Sequence, residues 1–233
     1  MPAHRTRQVG WLLTTFALLA PIALTGQAVV LDEGRFAVFV EGREVGSESF
    51  TIQRGGSGAD ARILSTAVIQ LESDGGVVEM RPMLDASTDL VARVFENKIS
   101  GSRAAQVNGF VNGGRFVSRV TSEDGEMQRE YRFGAGAVLL EEDVAHLYYF
   151  ISSRATTPGS TLSAIVPSTG QQLRLSVVSS EVEPFRLGRE QLDARHVRLE
   201  GADVRHDVWL DDQGRVLRVE VPERGYRAER ISN

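Results

Sequence analysis

The sequence predicts a mainly β fold, a curved antiparallel meander or half-open β-barrel with one short packed helix. Three observations carry this expectation. Apolar residues recur at every second position along most of the chain, as strands with two distinct faces require. Glycine-bearing turn signals separate these runs at short intervals. One segment alone switches to a helical period.

The alternation is clearest where Leu173, Leu175 and Val177 interleave with Gln172, Arg174 and Ser176. Ala61, Ile63, Ala67, Ile69 and Leu71 form a second run, interrupted at Ser65. Val78, Met80 and Leu84 alternate with Glu79 and Arg81, and Met127, Tyr131 and Phe133 with Gln128, Glu130 and Arg132. Turns are marked by Glu41-Gly42, Arg54-Gly55-Gly56, Asp74-Gly75-Gly76, Asn112-Gly113-Gly114, Asp124-Gly125 and Asp211-Asp212-Gln213-Gly214. Tight hairpins need the positive φ that such residues supply. About ten to twelve strands are expected in one long meander. Pro82 lacks an N–H, so its strand is expected at an edge or bulged there. The parity of apolar residues changes near Arg195 and His196, which predicts a β-bulge in the segment Leu192 to Leu199.

The helical exception is Val144, Leu147, Tyr148 and Ile151, spaced i, i+3, i+4 and i+7. Glu141, Glu142 and Asp143 precede it, where acidic residues favour a helix N-terminus. A helix is expected from about Glu142 to Ser153. His146 falls off its apolar stripe.

Residues 1–28 read as a secretory signal peptide. Arg5 and Arg7 give a basic start, Trp11 to Leu24 is mostly apolar, and Gly26 and Ala28 offer small residues at a cleavage site. The apolar run is shorter than the roughly 20 residues that span a bilayer, although a retained anchor is the competing reading. No cysteine follows it to carry a lipid. Residues 29–233 then form a single β-rich domain, placed in the periplasm or outside the cell.

Composition narrows function. The chain has no cysteine, so its stability rests on ordinary burial, and thiol nucleophiles and Cys-based zinc sites are excluded. The net charge of −5 disfavours nucleic-acid binding. No Gly-x-Ser-x-Gly elbow or Ser-x-x-Lys pair is present, and the glycine pairs sit in hairpins, not phosphate loops. The carboxylates between Glu41 and Glu48 read as solvated partners of Arg43. His196 and His206 lie on neighbouring predicted strands and would meet across a hairpin at Gly201-Ala202. A metal site or an atypical hydrolase with Asp207 or Asp193 would need that approach, but no ligand spacing is diagnostic. No catalytic residue, metal or cofactor is assigned.

Several strands carry apolar residues on both faces. Val204, His206, Val208 and Leu210 share one face, and Arg205, Asp207 and Trp209 the other. Phe36, Val38 and Val40 are similarly opposed by Ala37 and Phe39. A long twisted sheet buries such surface by curling. Two readings stay open: the helix plugs the core, or it leaves a cavity for an apolar ligand. In the second reading Tyr148, Leu147, Ile151, Phe150 and Trp209 are the candidate contacts.

Three stretches carry a resemblance. They are Phe39-Val40-Glu41-Gly42-Arg43-Glu44-Val45-Gly46, Leu139-Leu140-Glu141-Glu142-Asp143 leading to Tyr148, and the hairpin from Val208 to Val219. In this order they resemble uncharacterised bacterial periplasmic β-domain families, similar in shape to the open barrels of the LolA and LolB lipoprotein carriers. The resemblance implies an envelope role and a lipid or lipoprotein as partner, and it transfers no catalytic residue. A structural or protein-interaction module of the envelope is the alternative.

Overall fold

The structure, a computed structural model, describes residues 28–73, 75–134, 136–201 and 203–232. The secretory segment expected over residues 1–28 lies outside the described residues except for Ala28. Asp74 and Ala202 of two expected turns lie outside them too.

The first half of the chain is a meander of β1 (Val29–Val40), β2 (Arg43–Gly55), β3 (Arg62–Ser73), β4 (Gly76–Ser87), β5 (Ala92–Gly101), β6 (Ala105–Asn112), β7 (Arg115–Ser122) and β8 (Gly125–Arg132). The second half holds β9 (Ala137–Leu139), β10 (Thr161–Val166), β11 (Gln171–Leu187), β12 (Glu190–Gly201), β13 (Val204–Leu210), β14 (Val216–Val221) and β15 (Tyr226–Arg230). All fifteen form one sheet, ordered β8-β7-β6-β5-β4-β3-β2-β1-β15-β14-β13-β12-β11-β10-β9. The first and last strands therefore meet in the middle of the sheet. Every pairing is antiparallel except β9 with β10, which is parallel. The turn chemistry acts as expected at Glu41-Gly42, where φ values of 51° and 77° give the left-handed pair that a two-residue hairpin needs.

The sheet curls as the two-faced apolar pattern requires. Its β8 end meets the turn between β10 and β11: Tyr131 donates its hydroxyl to Gly170 O at 2.9 Å and Arg129 Nη1 reaches the same oxygen at 3.1 Å. Ser118, buried on β7, donates to Pro167 O at 3.3 Å. The concave side encloses one large core, with Phe36, Phe95, Phe116, Ile52, Ile69 and Leu84 fully buried.

Four expectations need correction. The helix is a 3₁₀ helix, His146–Ile151, six residues long, not an α-helix from Glu142 to Ser153. His146, Leu147, Tyr148, Phe150 and Ile151 are buried inside the curl, and Tyr149 is half-buried. Short i to i+3 bonds, such as Tyr148 N to Ala145 O at 3.1 Å, form a tight plug that buries all but one of its side chains. Its N-terminus is satisfied not by the local acidic run but by Glu48 on β2.

Pro82 is not on an edge strand. β4 lies between β3 and β5, and its ladder to β3 is interrupted from Ala67 to Val68 opposite Arg81 and Pro82. The missing N–H is absorbed by that break. The parity change near Arg195 is not a bulge either, because β12 pairs regularly with β13 from Arg195 to Gly201. Ala194 packs in an outer cluster and Val197 in the inner core, so both faces of the strand are apolar. The register shift falls on β11 instead, between Val177 and Ser179.

Candidate functional site

The inner faces of β13 and β15 place His206 and Tyr226 toward the plug. On β13 the alternation puts Val204, His206, Val208 and Leu210 inside, as the sequence predicts. On β15 Tyr226 and Ala228 share the inner side and are buried. Between these strands and the chain entering the plug lies a cavity of about 450 Å³. Leu140, Val144, Val166, Leu173, Val204 and Val221 give it apolar walls. Glu141, Tyr148, His206, Arg224 and Tyr226 add polar groups. Sites of this size and mixture suit small ligands, which need apolar enclosure plus a few fixed polar contacts.

The polar groups are held at short range. The Tyr148 hydroxyl lies 2.7 Å from His206 Nδ1. Burial pushes His206 down to about 4, so the imidazole is neutral at physiological pH. Burial likewise raises the Tyr148 and Tyr226 phenols above their ordinary value. Glu141 is pushed up to about 7 by burial, against hydrogen bonds from Ser168 Oγ, Glu142 N and Ser168 N that favour its charged form. At one side Arg224 Nη2 binds Asp143 at 2.8 Å and Glu142 at 3.6 Å. Arg103 also reaches Asp143, at 3.6 Å.

Beneath the cavity Glu48 fixes the plug. Its carboxylate accepts Ala145 N at 2.7 Å and His146 N at 2.9 Å, and it lies 2.5 Å from His146 Nδ1. Both Glu48 and His146 are 0% exposed, so the expectation of solvated carboxylates between Glu41 and Glu48 fails at Glu48. Glu48 has the parity of Phe50 and Ile52, which point inward, so period-two alternation places it on the core face of β2.

The expected contact residues are divided among three places. Tyr148 lines the cavity. Leu147, Phe150 and Ile151 lie in the core cluster around the plug. Trp209 is on the opposite, convex face of β13, in a small cluster with Phe185, Ala194 and Leu217. There its ring stacks on His196 at 4.2 Å, and its Nε1 donates to Glu183 at 2.7 Å. Arg218 lies over the Phe185 ring at 4.9 Å. His196 and His206 do not converge. His196 pairs in register with Trp209, and His206 with Leu199, which puts the histidines on opposite faces. His196 instead contacts Asp207 at 2.8 Å, within a surface ion cluster that includes Arg198 and Arg205. The described residues hold no group of three His, Cys, Asp or Glu arranged to bind a metal.

Sequence reasoning missed Tyr226, Arg224 and Glu141 as cavity residues. His206 gave a usable signal, being the one polar side chain among Val204, Val208 and Leu210. The others come together only when β15 returns beside β1.

The fold and cavity together define a β-barrel-like open sheet with an internal 3₁₀ plug and a side cavity. No family model matches the chain, and no curated protein matches it. Among solved structures it is similar to a β-barrel-like protein of domain of unknown function DUF1849 from Brucella abortus. That likeness has 9% identity over 89% of this chain and 95% of that one, with a TM-score of 0.48. It is also similar to a DUF1089 family protein from Pseudomonas aeruginosa, with 14% identity over 91% of this chain and 97% of that one, and a TM-score of 0.37.

Proposed function

We propose that this chain is a non-enzymatic binding protein of the bacterial cell envelope that shelters a small apolar or lipid-like molecule. The observation that carries the reading is the cavity of about 450 Å³ between the plug and β10, β11 and β13–β15. Its apolar walls, Leu140, Val144, Val166, Leu173, Val204 and Val221, pay no desolvation cost to an alkyl group, and burial of such a group is favourable by about 25 cal/mol per Å². The basic start and apolar run of residues 1–28 support export to the envelope. Apolar side chains on both faces of the sheet, together with the apolar spacing of the plug, motivate the ligand class, an acyl chain or the lipid tail of a lipoprotein.

Binding of the neutral fluorophore N-phenyl-1-naphthylamine tests the reading. The purified full chain is expected to enhance its fluorescence saturably. Val204→Trp, which fills the cavity from β13, is expected to abolish that signal while leaving the far-ultraviolet circular dichroism unchanged. Absence of saturable binding, together with no lipid in native mass spectra of protein purified from its own envelope, would overturn it.

A further inference from the structure

We propose that the cavity selects an uncharged amphiphile, whose single hydroxyl or carbonyl oxygen is held by Tyr226 and His206 while its alkyl part lies against Val166, Leu173 and Val204. The inference rests on the cavity reading above and adds the chemistry of the ligand's polar end.

The first observation is a pair of polar atoms without partners. The Tyr226 hydroxyl and His206 Nε2 are buried and make no hydrogen bond among the described residues. Their residues are only 4% and 7% exposed, yet both line the cavity. Buried polar groups in folded chains are nearly always hydrogen-bonded, so each such atom calls for an explanation. Asn97 and Ser65 also have unpartnered buried atoms, but they lie on β5 and β3, away from this cavity.

The second observation fixes what these atoms offer. A neutral imidazole has one donor and one acceptor nitrogen. The Tyr148 hydroxyl lies 2.7 Å from Nδ1, and a phenol is a better donor than acceptor toward an imidazole nitrogen. Nδ1 is then the acceptor, and Nε2 carries the proton. Two residues of the cavity lining therefore carry an unpartnered N–H donor, on His206, and a hydroxyl that donates or accepts, on Tyr226. A carbonyl oxygen satisfies both as donors. An alcohol accepts from Nε2–H and donates to Tyr226.

The third observation concerns charge. The two arginines near the cavity are already bound: Arg224 to Asp143 and Glu142, Arg103 to Asp143. A carboxylate ligand would enter beside those acidic groups without a free cation to meet it. A cationic ligand would lose its water and find Glu142 and Asp143 already paired with Arg224 and Arg103, and Glu141 accepting from the Glu142 and Ser168 amides. Burial holds His206 neutral and both tyrosines protonated, so the interior disfavours charge of either sign.

Displacement of N-phenyl-1-naphthylamine by three probes of matched length tests this. They are 1-octanol, octanoate at about pH 8, and 1-chlorooctane, which lacks a hydrogen-bonding oxygen. Octanol is expected to compete about tenfold more strongly than either, the effect of two net hydrogen bonds. Tyr226→Phe should weaken octanol about threefold and leave 1-chlorooctane unchanged. Equal competition by 1-chlorooctane would overturn the polar contact while the cavity reading stood. Stronger competition by octanoate would overturn the neutral-ligand inference. No fluorophore binding at all would remove both readings together. The ranking of probes on the unaltered chain needs no variant, so a Tyr226→Phe chain that fails to fold leaves the inference falsifiable.

Discussion

Two buried groups at the cavity titrate in opposite senses, and their opposition sets the pH response of the chain. Glu141 is raised from 4.5 to about 7. The folded state then binds the extra proton, so its contribution to stability is full below pH 4.5 and is lost as pH rises through about 7. His206 is lowered from 6.5 to about 4. Its contribution is full above pH 6.5 and is lost as pH falls through about 4. Between those limits the two slopes partly cancel. Glu141→Gln removes one slope; its amide nitrogen meets a backbone N–H that the carboxylate accepted, from Glu142 or Ser168, at a cost that does not depend on pH. Relative to the parent, the variant is expected to gain up to about 3 kcal/mol as pH rises from about 5 to 8, at 1.36 kcal/mol per unit. Urea denaturation across that range measures it, and a difference independent of pH would contradict burial as the cause. Glu48 permits a second prediction. Glu48→Ala leaves the Ala145 and His146 amides and the buried imidazole without their acceptor. A loss of about 3 kcal/mol is expected from equilibrium unfolding, the scale of breaking a buried pair by removing one partner.

Strands were legible because their signal is local. Inner and outer parity on β13, the hairpin at Glu41-Gly42 and the period-two runs of β3, β4 and β11 follow from alternation and turn residues alone. The plug was half legible: its apolar spacing marks a helical segment, but burial of all its side chains except Tyr149 is a tertiary fact. That burial turned an expected amphipathic α-helix into six residues of 3₁₀ helix, capped by a glutamate from β2. The cavity was legible at Tyr148 and not at Tyr226 or Arg224, which reach it only through the pairing of β15 with β14 and β1. Trp209 lies apart from the cavity, on the outer face of β13 in a stacked, ion-flanked cluster, and a tryptophan on a polar face signals either setting equally. Element geometry also yields a prediction at the β4–β5 ladder. Gly101 has φ 90°, and a Cβ there would stand 2.0 Å from Val77 O. Backbone cannot move aside as a side chain does. Gly101→Ala should therefore cost about 2 kcal/mol or more, read from the urea midpoint, whereas the same change at exposed Gly42 meets no atom within 4 Å and carries only the strain of its positive φ.

At the scale of the molecule, two strand sets join along the β1–β15 seam, and meet again at the β10–β11 turn and where Glu48 holds the plug. β1 and β15 pair in the middle of the sheet, and Asp32 and Arg230 clamp that seam from inside, with Nη2–Oδ1 at 2.6 Å and Nη1–Oδ2 at 3.1 Å. Arg230 also donates to Val216 O at 3.2 Å, tying β14 into the same joint. Asp32 is 3% exposed, so removing Arg230 strands a carboxylate that water cannot reach. Arg230→Leu is expected to destabilise by about 3 to 5 kcal/mol, and Asp32→Leu with Arg230→Leu by clearly less, since the pair's desolvation cost disappears with it. The seam also decides whether the halves unfold as one unit. Trp209 is the only tryptophan beyond residue 28, so its fluorescence reports the second meander, whereas circular dichroism reports the whole sheet. Continuous ladders across β1 and β15 predict coincident transitions for both probes in the parent chain. If the seam rather than the separate meanders sets cooperativity, Arg230→Leu moves both transitions together to lower urea. Separation of the two curves in that variant would show instead that each meander holds itself folded and that the clamp only aligns them.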